Sequence, residues 1–108
     1  MRYLMLVCAE PGVVVDPEEA SPEAWLAETE RRGVRVMGDR LGPAREARTV
    51  RVRRGERLVT DGPFAETKEL LGGFDILECE SLEEAVEIAS MHPVASFGAI
   101  EVRPFWAD

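Results

Sequence analysis

Apolar and polar positions divide the chain into six extended runs and two helical ones. Tyr3 to Cys8 is continuously apolar, which suits a central strand buried on both faces. From Pro22 to Arg32, Trp25, Leu26 and Thr29 share one face while Glu23, Glu28, Glu30 and Arg31 are solvated, a helical spacing. Asp16-Pro17 and Ser21-Pro22 both offer an N-cap followed by a proline suited to the first helical position; the second fits the apolar stripe. Gly33 closes the helix, because glycine takes the left-handed conformation cheaply. Val34 to Leu41 reads as a second strand, ended by "GPARE". Val50 and Val52 then alternate with Thr49, Arg51 and Arg53, a period of two that predicts a half-exposed strand, and Arg54-Gly55-Glu56 turns it back into Leu58 to Thr60. Gly73 to Glu80 is a further strand. Ser81 and Glu84 have capping-box spacing, and Leu82, Ala85, Val86 and Ala89 repeat at helical intervals, so a second helix follows, stopped at His92-Pro93. Gly98 to Phe105 forms the last strand.

The order is therefore β-α-β, an inserted hairpin, then β-α-β. It predicts an α+β fold, a ferredoxin-like split β-α-β sandwich with both helices on one face of an antiparallel sheet. No repeat or linker divides the 108 residues, so residues 1–108 are one domain. Tyr3, Met5, Val7, Phe74, Ile76 and Val102 are too many apolar strand residues for one covered face, and a homodimer is expected.

Charge narrows the partners. A formal net charge of −8 and an isoelectric point near 4.7 disfavour general attraction to nucleic acid or anionic membrane. The hairpin carries Arg45, Arg48, Arg51, Arg53, Arg54 and Arg57, but no aromatic residue interleaves for base stacking, so a solvated face or one paired with a second subunit's acidic groups is expected. A small organic ligand or another protein is the expected partner. Cys8 and Cys79 sit in apolar runs without a CxxC spacing and read as small buried hydrophobes of a reducing cytoplasm. No zinc or other metal site is legible, and no cofactor is expected. The apolar N-terminal run ends at Glu10-Pro11, too soon for a secretory h-region, so a cytoplasmic location is expected.

The connection "TDGPFAETKELLGGF", Thr60 to Phe74, is far longer than a hairpin needs, and excess loop length points to function. Asp61-Gly62-Pro63 has turn chemistry, which accounts for Asp61 as well as a site role does. Phe64 reads as a core plug holding the loop down. Lys68 is the chain's only lysine among thirteen basic side chains, which suggests a need for a compact amine, against the plainer role of pairing with Glu66 or Glu69. His92, the only histidine, stands at a helix C-terminus whose partial negative charge favours its protonated form; it is either a structural cap or a proton donor. The strand after the loop leads directly into the second helix, so the loop and that helix's end fall at the same end of the sheet. Asp61, Lys68 and His92 are therefore expected to share a polar pocket: His92 as general acid or base, Lys68 holding an anionic group, Asp61 orienting one of them.

"LVTDGPFAETKELLGGF" and the tail "MHPVASFGAIEVRPF" resemble the DGPF branch of the YCII-related family, and the similarity runs from "RYLMLV" to "EVRPF". The resemblance implies a ferredoxin-like fold pairing as a dimeric α/β barrel, without a known reaction. It also implies a His/Asp dyad, with the His on the first helix and the Asp just before a Pro at the end of the second. This sequence departs at both places: "PEAWLAETERR" has no His, and His92 precedes Pro93. Two function classes follow: a small-molecule-binding protein or enzyme using proton transfer, or a non-catalytic regulatory domain, since DGPF relatives are similar to proteins encoded beside alternative sigma factors.

Overall fold

The computed structural model describes residues 1–65 and 70–107. Its elements are β1 (Arg2–Cys8), α1 (Glu23–Arg32), β2 (Arg35–Arg40), β3 (Arg48–Arg53), β4 (Glu56–Asp61), β5 (Leu71–Glu78), α2 (Leu82–Ser90) and β6 (Ala99–Pro104), with single 3₁₀ turns at Ala44–Glu46 and Pro93–Ser96. The main sheet has the order β2-β5-β1-β6 with every neighbour antiparallel, the ferredoxin-like interleaving of two β-α-β halves.

Strand register decides which side chains meet the helices. Tyr3 pairs with Leu77 and Met5 with Asp75 and Val102, and these positions face α1 and α2. Tyr3, Met5 and Leu77 join Trp25, Val34, Ala85, Ile88 and Ala89 in the core. One residue out of phase, Leu4, Leu6, Phe74 and Ile76 line the opposite face and are half-buried, and no helix among the described residues covers them. Thus β1 is central but covered on one face only. Of the six apolar strand residues that suggested a second covered face, Tyr3, Met5, Val7 and Val102 lie on the helix side, and Phe74 and Ile76 on the open one.

Each helix follows from local chemistry. In α1, Gly33 takes φ 68° and its N–H donates to the carbonyls of Glu30 and Thr29. Pro22, not Ser21, occupies the N-cap position, and Asp16 instead caps a separate turn through the Glu18 N–H at 2.8 Å. Trp25 Nε1–H donates to the Ile88 carbonyl at 2.9 Å, which ties α1 to α2 beneath the core. In α2, Ser81 Oγ accepts the Glu84 N–H at 3.1 Å, as the capping spacing requires. The buried stripe is Ala85, Ile88 and Ala89, while Leu82 and Val86 turn outward.

The inserted hairpin pairs only with itself, β3 against β4. Its two-residue turn is Arg54 at φ 53° and Gly55 at φ 76°, both left-handed, the combination that matches the twist of a ribbon. Both faces are open: Val50, Val52 and Val59, which share one face, are 59%, 58% and 50% exposed. Phe64 is not a core plug. It is 67% exposed, with the Arg51 guanidinium 4.9 Å above its ring, because the chain leaving β4 runs alongside the ribbon. The Cα radius of gyration is 15.8 Å, whereas a compact domain of this length has about 13 Å.

Candidate functional site

A cavity of about 640 Å³ lies on the helix side of the sheet, between the start of α1, the ends of β1 and β2, the start of β5 and the turn after α2. Val7, Trp25, Leu26 and Val94 supply apolar wall, and Gly38, Gly73 and Asp75 lie at its floor. Gly38 leaves room on this floor for the Asp75 carboxylate. A Cβ on Gly38 would stand 2.1 Å from Asp75 Oδ1 and 2.5 Å from the Phe74 carbonyl.

Two ionisable groups are buried there. His92 is 6% exposed and Asp75 7%. The helix ends at Ser90, and Pro93 begins a 3₁₀ turn that His92 caps: Nδ1 accepts the Val94 N–H at 3.1 Å. The imidazole also meets Trp25 edge to face, with ring centroids 4.9 Å apart. Asp75 Oδ1 accepts from Arg35 Nε at 2.7 Å, a pair that joins β5 to β2. Burial raises the Asp75 pKa from its ordinary value; the Arg35 bond and charge, and then the His92 charge, pull it down by less. Burial also lowers the His92 pKa, against a smaller upward pull from Asp75. The helix C-terminus was expected to favour protonated His92, but loss of water outweighs that effect.

The three residues expected to share a pocket are placed as follows. His92 lines the cavity. Asp61 does not: it ends β4 with its side chain 88% exposed, and Arg48 Nε lies 3.1 Å from its Oδ1. Within this chain it is a ribbon residue. Lys68 lies outside the described residues. The chain instead puts Asp75 and Arg35 with His92, and the signal for Asp75 is in the strand pattern. In "GGFDILEC", Gly73, Leu77 and Cys79 are the buried phase, and Asp75 is the one charge in it. Arg35 begins the strand beside it. The cysteines are free, and burial, followed by nearby acidic groups, pushes both thiols up, Cys79 to about 11. Among the described residues no three His, Cys, Asp or Glu side chains converge as metal ligands, and no helix is long and apolar enough to cross a membrane.

Comparison with known families matches the YCII-related domain over residues 1–107. The chain belongs to the YCII-related family. An uncharacterized protein of Rhizobium meliloti (strain 1021) is 38% identical over 104 residues, covering 81% of this chain and 84% of that protein. Among solved structures, the 5-chloro-2-hydroxyhydroquinone dehydrochlorinase of Burkholderia phenoliruptrix AC1100, determined with 2,5-dihydroxybenzoquinone, shares the fold. The similarity covers 100% of this chain and 96% of that one, with a TM-score of 0.50 and 22% identity. In this YCII-related chain the first helix brings Trp25 to His92, and the acid beside His92 comes from β5, a placement distinct from the dyad that the resemblance implied.

Proposed function

We propose that this YCII-related protein, a member of the DGPF branch, binds a small organic molecule in the cavity beside His92 and Asp75 and transfers a proton on it. One observation carries this: two ionisable side chains, each more than nine-tenths buried, line a 640 Å³ space with apolar walls, where a structural core would hold hydrocarbon. Arg35 holds one oxygen of Asp75 and so orients the carboxylate. The activity and the bound quinone of the dehydrochlorinase of like fold support a small oxygenated ring as the type of ligand. Asp61 takes no part within one chain.

The working unit is a homodimer in which a second copy covers the face of Leu4, Leu6, Phe74 and Ile76. The projecting ribbon supports this, since six arginines stand against Glu46, Glu56 and Asp61 within residues 44–61 of a chain whose net charge is −8. Sedimentation equilibrium at micromolar concentration is expected to give about twice 12.0 kDa; a 12.0 kDa species would remove the barrel. For the cavity, amide and indole spectra are recorded during titration with hydroxylated aromatic and quinone compounds. The Trp25 indole N–H and the Val94 amide are expected to shift first. Shifts confined to the open sheet face would move the ligand site there.

A further inference from the structure

The two buried ionisable side chains each leave one atom without a hydrogen bond among the described residues, and those atoms are of opposite kind. The Nδ1 lone pair of His92 is committed to the Val94 N–H, so the neutral imidazole carries its proton on Nε2. Asp75 gives Oδ1 to Arg35, and its Oδ2 has no bond among the described residues. No buried side-chain nitrogen or oxygen among those residues lacks a partner. Nε2 and Oδ2 therefore open on the cavity that both residues line. A donor and an acceptor face one cavity with apolar walls, and the two side chains lie within reach of each other's charge.

We propose that this pair selects a hydroxyl conjugated to a carbonyl, the enolic or phenolic hydroxy-carbonyl class. Asp75 Oδ2 accepts from the hydroxyl, and His92 Nε2–H donates to the carbonyl oxygen. Proton transfer then breaks the substrate O–H bond and forms Oδ2–H. The electron pair left on the hydroxyl oxygen spreads through the conjugated system onto the carbonyl oxygen, where Nε2–H meets the new charge. Nothing is oxidised or reduced. His92, expected from the sequence as a general acid or base, is here a fixed donor, because accepting a proton would cost it the Val94 cap. The proposal rests on the cavity being the small-molecule site and adds which molecules that site takes.

The test is a titration near pH 7 with 4-hydroxyacetophenone, whose hydroxyl is conjugated through the ring to the carbonyl, and its methyl ether, on wild type, Asp75→Asn and His92→Asn. Asparagine at position 92 can still cap the Val94 N–H while lacking Nε2–H, so that variant keeps the turn. Wild type is expected to prefer the hydroxy compound by about tenfold or more, because the ether leaves Oδ2 unpaired. Asp75→Asn is expected to lose that preference, and His92→Asn to bind both probes more weakly, each variant shown folded by its amide spectrum. Long-range ¹⁵N–¹H spectra of the free protein are expected to place the His92 proton on Nε2. A proton on Nδ1, or equal binding of the two probes in the cavity, overturns the proposal and leaves the cavity a ligand site. Absence of any shift at the Trp25 indole with either probe at millimolar concentration overturns both.

Discussion

Replacing Gly38 with alanine tests whether the cavity floor is built as described. The added Cβ would lie 2.1 Å from Asp75 Oδ1 and 2.5 Å from the Phe74 carbonyl oxygen, where real contacts begin near 3.0 Å. The carboxylate can swing away, but the carbonyl belongs to the β5 backbone, so β2 and β5 must part where Gly38 pairs with Asp75. Such overpacking costs roughly 1–3 kcal/mol. Displacing Asp75 also breaks its charged bond to Arg35 and leaves a buried carboxylate short of a partner, worth about 1–3 kcal/mol more. The two costs overlap, and about 2–4 kcal/mol in total is expected, a fall in Tm on the order of 10–25 °C. Gly72→Ala, on β5, is the control: its nearest contact would be the Val7 carbonyl at an ordinary 3.8 Å, so a change within about 0.5 kcal/mol is expected. Urea and thermal unfolding of both variants beside wild type give the comparison. Gly38→Ala as stable as Gly72→Ala, with the Arg35–Asp75 pair intact, would refute the geometry of the floor.

The pH dependence of stability follows from His92. Its folded-state pKa is lowered, so its contribution is present above the unfolded value of about 6.5 and is lost as pH falls through the folded value. Asp75, whose folded-state pKa is raised, acts in the opposite sense over the carboxylate range. Urea midpoints between pH 7 and pH 5 are expected to fall more steeply for wild type than for His92→Asn; equal slopes would contradict the burial of a neutral imidazole. At the ribbon turn, Arg54 holds φ 53°, a conformation that asparagine tolerates better, so Arg54→Asn is expected to stabilise the ribbon by about 0.5–1 kcal/mol. Slower hydrogen exchange at the Val52 and Leu58 amides is the readout, and unchanged exchange would show that the turn is not strained.

What the sequence reveals here depends on whether a local rule decides the outcome. Gly33 ends α1 and Ser81 starts α2 because each acts on its own backbone neighbours, and both are visible in the residues alone. The ribbon is different. Val50 and Val52 alternate with Arg51 and Arg53 identically whether the valines meet their own core or a second chain, so periodicity predicts a strand but not what covers it. Phe64 fails for the same reason: a large apolar residue after a turn looks like a plug, yet here it stacks under an arginine of the ribbon.

The candidate site was half legible, and the missing half has a physical cause. His92 stands out by type, but its tautomer depends on the break at Pro93, which swings the imidazole over the Val94 N–H instead of onto the end of α2. Asp75 was hidden by its neighbours, since "FDILE" reads as an ordinary strand until register shows that the acid shares its face with Tyr3, Met5 and Leu77. A carboxylate survives in that position because of two residues that touch it from β2: Arg35 supplies the countercharge, and Gly38 leaves the space. An acid in core phase, an arginine opening the strand that pairs with it and a glycine directly opposite form one arrangement. Each of the three is unremarkable in the sequence. Only the antiparallel pairing of β2 with β5 makes them the floor of a cavity with His92 above it.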